Sequence, residues 1–258
     1  MKKLACVAMT IVFLLSMGGL VSAYDFDTRH ISDGFSLDKF QKNHYIEIEG
    51  VLTYTYPNDE QDTEKLLSIG WRIGDYIIAM SHTVWMRKIY VMMPPPFFGQ
   101  YIDINPVKTE MRGRHKNGPW YDLKLRSMNE GRDIAIFILP EGLKKVKKIP
   151  LGKLSKVRVG DHVYAFGRCL KAWPDEWAGK ASTWKIGIVA AITLYRGHQE
   201  IIIHGKMESG DSGGVVIAFS NGIPRVIGLT QIDIGTTGLA GAVPIDYYVE
   251  EVKKLSKE

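Results

Sequence analysis

Cysteine is scarce in this sequence, with only Cys6 and Cys169 among 258 residues. Cys6 lies in an apolar leader, so no intrachain disulfide is available to the rest of the chain. Cys169 has no motif around it and reads as a buried or loop thiol. Charge of one sign is lacking too: 33 Lys and Arg face 28 Asp and Glu, for a formal net charge of +5. That imbalance is too mild to argue for nucleic acid as a partner. There is no CxxC pair, HxxxH, Walker-type loop or dinucleotide fingerprint, so no metal or cofactor is expected. A chain of this size can bury enough apolar surface to fold without disulfide staples.

Residues 1–23 have the make-up of a signal peptide. Lys2 and Lys3 start it, Leu4 to Leu20 is its apolar run, and Val21-Ser22-Ala23 offers small residues for cleavage before Tyr24. Lys2 and Lys3 leave with it and no acid does, so the net charge falls from +5 to +3. The expectation is an exported protein, periplasmic or secreted, that meets a membrane only if this segment stays uncleaved. Residues 24–44 show little periodicity and read as an N-terminal arm or pro-segment.

From Tyr45 onward, short apolar runs broken by Gly, Asp and Asn indicate an all-β chain. Tyr45 to Tyr56 is extended, and Gly74-Asp75 supplies hairpin chemistry between Leu66–Ile73 and Tyr76–Met80. With Lys88–Met92, Tyr121–Leu125 and Asp133–Leu139, these make a first β-barrel over residues 45–140. A basic connector, 141–149, leads to a second barrel over 150–243, again of about six short strands. Residues 244–258 carry Ile245, Tyr248, Val249, Val252 and Leu255 at helical spacing and predict an amphipathic helix. The Met92–Phe98 stretch, with three prolines, reads as a loop that packs its own aromatics on the barrel, or else covers the cleft or meets a membrane or partner. The loop holding Trp173 and Trp177 reads as one anchored by its aromatics, or else binding substrate or carbohydrate.

Chemistry concentrates in Glu208-Ser209-Gly210-Asp211-Ser212-Gly213-Gly214, just before the apolar run Val215 to Phe219. The glycines open backbone conformations closed to other residues and clear space beside the Ser212 hydroxyl. They also let the amides of Gly210 and Ser212 converge where an oxyanion would develop. A serine hydroxyl needs a base, usually a histidine held by a carboxylate. His82 ends the apolar run that begins at Tyr76, and Asp133 opens the run Ile134 to Leu139. The chain order His82, Asp133, Ser212 is that of the chymotrypsin type.

On these residues the chain resembles the trypsin-like serine proteases, and most closely the protease domain of the HtrA (DegP-like) family. Pro150 to Asp161, Gly187 to Ile192 and Gly241 to Ile245 add to the likeness, which covers about residues 65 to 250. It implies two Greek-key six-stranded β-barrels, an endopeptidase activity on proteins or peptides, and a substrate cleft between the barrels. It further implies a specificity pocket near Lys206, Met207, Thr230, Gln231 and Ile232, for which a neutral P1 side chain is expected. The departures are Asp211, where HtrA proteins usually carry Asn, Val215 in place of a common proline, and no PDZ module after the protease part.

In the digestive branch of the family, the aspartate before the nucleophile pairs with an amine freed by a cut. No Ile-Val-Gly-Gly-like start stands between Tyr24 and the first barrel. Asp211 is therefore expected to find backbone amides or a basic side chain, or to stay partly solvated, with no activating cut. The competing reading is a catalytically silent peptide- or carbohydrate-binding protein on a protease scaffold. Chaperone or sensor behaviour has little support in the sequence, and oligomeric state is not legible.

Overall fold

The computed structural model describes residues 35–55, 59–85, 88–91, 100–103, 105–169, 181–195, 197–205, 207, 210–233 and 238–257. The leader, the Met92–Phe98 loop, the tryptophan loop, Lys206, Glu208 and Ser209 lie outside them. Most of the described residues are in strands. The first half holds β1 (Tyr45–Thr55), β2 (Gln61–Ile73), β3 (Tyr76–Met80), β4 (Lys88–Val91) and β5 (Gln100–Asp103). It continues with β6 (Lys108–Arg114), β7 (Tyr121–Asp122), β8 (Lys124–Asn129) and β9 (Ile134–Ile138). The second half holds β10 (His162–Cys169), β11 (Ala181–Tyr195), β12 (His198–His204), β13 (Val215–Ser220), β14 (Ile223–Asp233) and β15 (Leu239–Pro244). Helix α1 (Leu37–His44) precedes the first half and α2 (Ile245–Leu255) follows the second.

Strand β1 alternates buried and half-buried residues along its whole length, with Ile46, Ile48, Leu52 and Tyr54 turned inward. That period of two is what a sheet with one packed face requires. The turn expected at Gly74-Asp75 joins β2 to β3, with Ile73 opposite Tyr76 and φ of +60° at Gly74. The first half forms a seven-stranded sheet in the order β7-β6-β1-β2-β3-β9-β8, and β4 and β5 pair separately. The strand expected over Tyr121–Leu125 is thus split at the buried Leu123. Its two pieces pair with β6 and β9, so the two edges of the sheet are consecutive parts of one segment. The second half is a closed six-stranded barrel, β10-β11-β12-β15-β14-β13.

Three apolar clusters result. One fills the first half around Ile46, Ile77 and Phe137, and another fills the second barrel around Val163, Ile201 and Val216. The third lies between the halves, where Ile69, Trp71, Ile78 and Met80 meet Phe166, Val215, Ile217 and Leu229. Both helices pack onto this third cluster, α1 through Phe40 and α2 through Ile245, Tyr248 and Val252. Phe40 stands 6.3 Å from the Trp71 ring of the first half and 6.1 Å from the Trp184 ring of the second. Among the described residues, no helix is long and apolar enough to cross a membrane.

Candidate active site

Antiparallel pairing of β3 with β9 sets Met80 opposite Ile134. The residues just beyond β3 therefore face the residue just before β9, which joins Ser81 and His82 to Asp133. A 3₁₀ turn over Ser81–Thr83 swings His82 to the surface, with its side chain 45% exposed. Asp133 adopts a left-handed conformation, φ 57° and ψ 44°, after the turn Glu130–Arg132 capped by Asn129. That conformation is uncommon for a side-chain-bearing residue and marks a position held by its surroundings.

What holds Asp133 is a set of four hydrogen bonds. The Ser81 hydroxyl donates to Oδ1 at 2.8 Å, and the His82 amide donates to the same oxygen at 2.9 Å. Nδ1 of His82 donates to Oδ2 at 2.6 Å, and Nε2 of Gln231 donates to Oδ2 at 3.1 Å. Burial pushes the Asp133 carboxyl up, but the bonds and charge from His82, with the Ser81 bond, outweigh it and hold it below its ordinary value. With Nδ1 carrying the proton, Nε2 of His82 is the ring nitrogen left to act as a base.

Ser212 reaches the same place from the second barrel. Val215 at the start of β13 pairs with Leu229, so the loop before β13 lies along Thr230 and Gln231 at the end of β14. The Ser212 hydroxyl donates to the Gln231 carbonyl at 2.9 Å. Gln231 thus touches both Ser212 and Asp133. Among the described residues, no hydrogen bond joins Ser212 to His82.

The serine loop is braced on several sides. Gly213 N–H donates to Thr230 O, Thr230 N–H donates to Gly214 O, and Gly214 N–H donates to Asp211 O. The buried Thr230 hydroxyl donates to the carbonyls of Asp211 and Gly214. From the first half, the Trp71 indole donates to Gly213 O at 2.8 Å. Gly214 has to be glycine, because a Cβ there would run into the Phe166 carbonyl. Gly210, at φ of +103°, turns the chain into the loop. Among the described residues, the amides of Gly210 and Ser212 have no acceptor.

Of the pocket residues expected from sequence, Met207 is buried in the interior cluster of the second barrel. Thr230 turns its hydroxyl to the serine loop rather than to open space. Lys206 and the Ile232 side chain lie outside the described residues. Sequence reasoning missed Ser81, Trp71 and the double role of Gln231. Ser81 was findable as the polar neighbour of His82, but the other two depend on register across the fold. On α2, the buried Tyr248 hydroxyl donates to Met80 Sδ at 2.7 Å and lies 3.5 Å from Asp133 O. Burial first, and the charge of Asp133 second, push that phenol well above its ordinary value.

The comparisons with known proteins bear on the fold and the family. No curated protein matches the chain. In fold, it is similar to a solved HtrA-type protease, AlgW with a serine-to-alanine substitution and a decapeptide. The TM-score is 0.63 at 14% identity, over 87% of this chain and 68% of that one. The family model described as trypsin-like peptidase domain matches residues 76–229. That span takes in His82, Asp133 and Ser212 and more than half of the chain, which therefore belongs to the trypsin-like peptidase domain family and is a serine endopeptidase.

Proposed function

We propose that the chain is an exported endopeptidase that cleaves peptide bonds with Ser212 as nucleophile, His82 as general base and acid, and Asp133 as the group orienting the imidazole. The observation that carries this reading is the 2.6 Å bond from His82 Nδ1 to Asp133 Oδ2. It fixes the tautomer in which Nε2 is basic. Rotation about χ1 of Ser212 moves its hydroxyl from the Gln231 carbonyl to His82 when substrate enters; resting sites often show such looser geometry.

Oγ then attacks the scissile carbonyl carbon as its proton passes to Nε2, and the carbonyl oxygen becomes an oxyanion. The acceptor-free amides of Gly210 and Ser212 are suited to receive it. Collapse expels the amine, which takes the proton from His82 and leaves an acyl-enzyme on Ser212. Water, deprotonated by His82, releases the acid and restores the hydroxyl. Export rests on the make-up of residues 1–23, and the substrates are proteins or peptides with a neutral P1 side chain.

Peptide hydrolysis by purified Ser212→Ala and His82→Ala tests the assignment. Each is expected to lower kcat by about 10⁴-fold or more while melting like the parent. A folded variant that keeps a large share of the activity would refute it.

A further inference from the structure

The Asp211 carboxylate sits beside the nucleophile and is 2% exposed. A buried carboxylate is costly unless a cation and hydrogen bonds compensate it. Strand β11 supplies the cation. Lys185 pairs with Ala165 on β10, and Ala165 pairs with Val216 on β13. Ala165 and Val216 belong to the barrel's interior cluster, as does Val189 four residues along β11. Residues directly opposite in a sheet share a face, so Lys185 occupies an inward position where the barrel otherwise places apolar or small side chains. Its ammonium forms an ion pair with Asp211 Oδ2, and the two side chains are 17% and 3% exposed. Gly167 on β10 leaves the room, since a Cβ there would strike the Asp211 carboxylate.

Asp211 lies between Gly210 and Ser212, whose amides are the proposed oxyanion donors. We infer that Lys185 is a built-in positioning cation, which draws the Asp211 side chain into the barrel and so holds the oxyanion loop in its working shape as soon as the chain folds. The inference rests on the reading of Ser212 as nucleophile. Without the ammonium, the carboxylate would have to turn towards water and would carry the neighbouring peptide planes with it. Because the cation is part of a strand and not a chain end, no cut is needed to create it. The uncut chain is active as folded.

The test compares wild type, Lys185→Met and Lys185→Met/Asp211→Asn in the full-length chain, by kcat and KM on a peptide substrate and by melting temperature. Reaction of Ser212 with a fluorophosphonate is followed in parallel. Lys185→Met is expected to lower kcat by about 10²–10³-fold, the range seen on losing an oxyanion donor, with KM little changed. The double variant, which buries no lone charge, is expected to recover most of that loss. A role limited to packing would give losses in the single and double variants alike.

Wild-type turnover in Lys185→Met, or a folded double variant no faster than the single one, overturns the inference. Should Lys185→Met fail to fold, the double variant decides alone: activity well above the expected single-variant level supports charge compensation, and inactivity in a folded protein overturns it. A wild type that takes no fluorophosphonate at Ser212 instead overturns the assignment of the nucleophile.

Discussion

Asp133 is nearly enclosed, yet four donors converge on its two oxygens and keep it ionised. Asp133→Asn should therefore lower kcat by about 10⁴-fold, because the His82 tautomer is no longer fixed. Its depressed value also has a sign for stability. The ionised form is favoured by the fold, so the contribution is fully present above the ordinary carboxylate value of about 3.9 and is lost as the pH falls through the lower folded value. Melting temperatures of wild type and Asp133→Asn across acid pH check this, and the difference is expected to move against wild type below about pH 4. A constant difference would count against it. The three proposed catalytic residues stand out in the sequence because each sits in a short local pattern: a serine among glycines, and a histidine and an aspartate at the ends of apolar runs. Lys185, Trp71 and the contacts of Gln231 did not, since the partners Asp211, Gly213 and Asp133 lie 26, 142 and 98 residues away. Only strand register brings them together.

At the scale of elements, α1 is the least obvious part of the fold. Ser36 caps it through the Lys39 amide, and Asp38 pairs with Lys42, but its eight residues are too few to be stable alone. Docking makes it a helix: Phe40 enters the cluster between the halves, and His44 Nδ1 donates to Lys147 O at 3.0 Å. Nothing local in residues 24–44 announces those distant partners. Phe40→Ala should cost about 3–5 kcal/mol, as for a buried aromatic, read as the shift of a chemical denaturation curve. A loss well under that range would mean that α1 only rests on the surface. Burial, chiefly, holds the His44 imidazole below its ordinary value. The neutral ring is thus the form the fold favours, and its contribution is lost as the pH falls from about 6.5 through the lower folded value. Replacing His44 with Gln should flatten the melting temperature across that window, and an unchanged slope would contradict it. The β-strands were easier to foresee, because inward and outward residues alternate in the sequence itself, as in β1. The split at Leu123 was not, since it follows from one segment changing partners between β6 and β9.

At the scale of the whole molecule, two β halves were legible from strand count, and the order of the three proposed catalytic residues pointed to a site between them. The bracing across the seam was not legible. His82 and Asp133 come from the first half, Ser212 and Gln231 from the second, and the Trp71 bond to Gly213 ties the two beside the proposed nucleophile. Cohesion rests on the apolar cluster between the halves, so reductant should leave the melting temperature of the monomer unchanged; Cys169 is the one cysteine after Ala23. A clear loss of stability in dithiothreitol would point to an intermolecular bridge. The most direct test of the central claim is to map the fluorophosphonate adduct on the folded chain by mass spectrometry. The prediction is a single adduct on Ser212, absent from Ser212→Ala and from denatured protein, and formed far more slowly in His82→Ala. A folded wild-type chain that takes no adduct on Ser212 at any pH would contradict it and leave a peptide- or carbohydrate-binding protein on a protease scaffold.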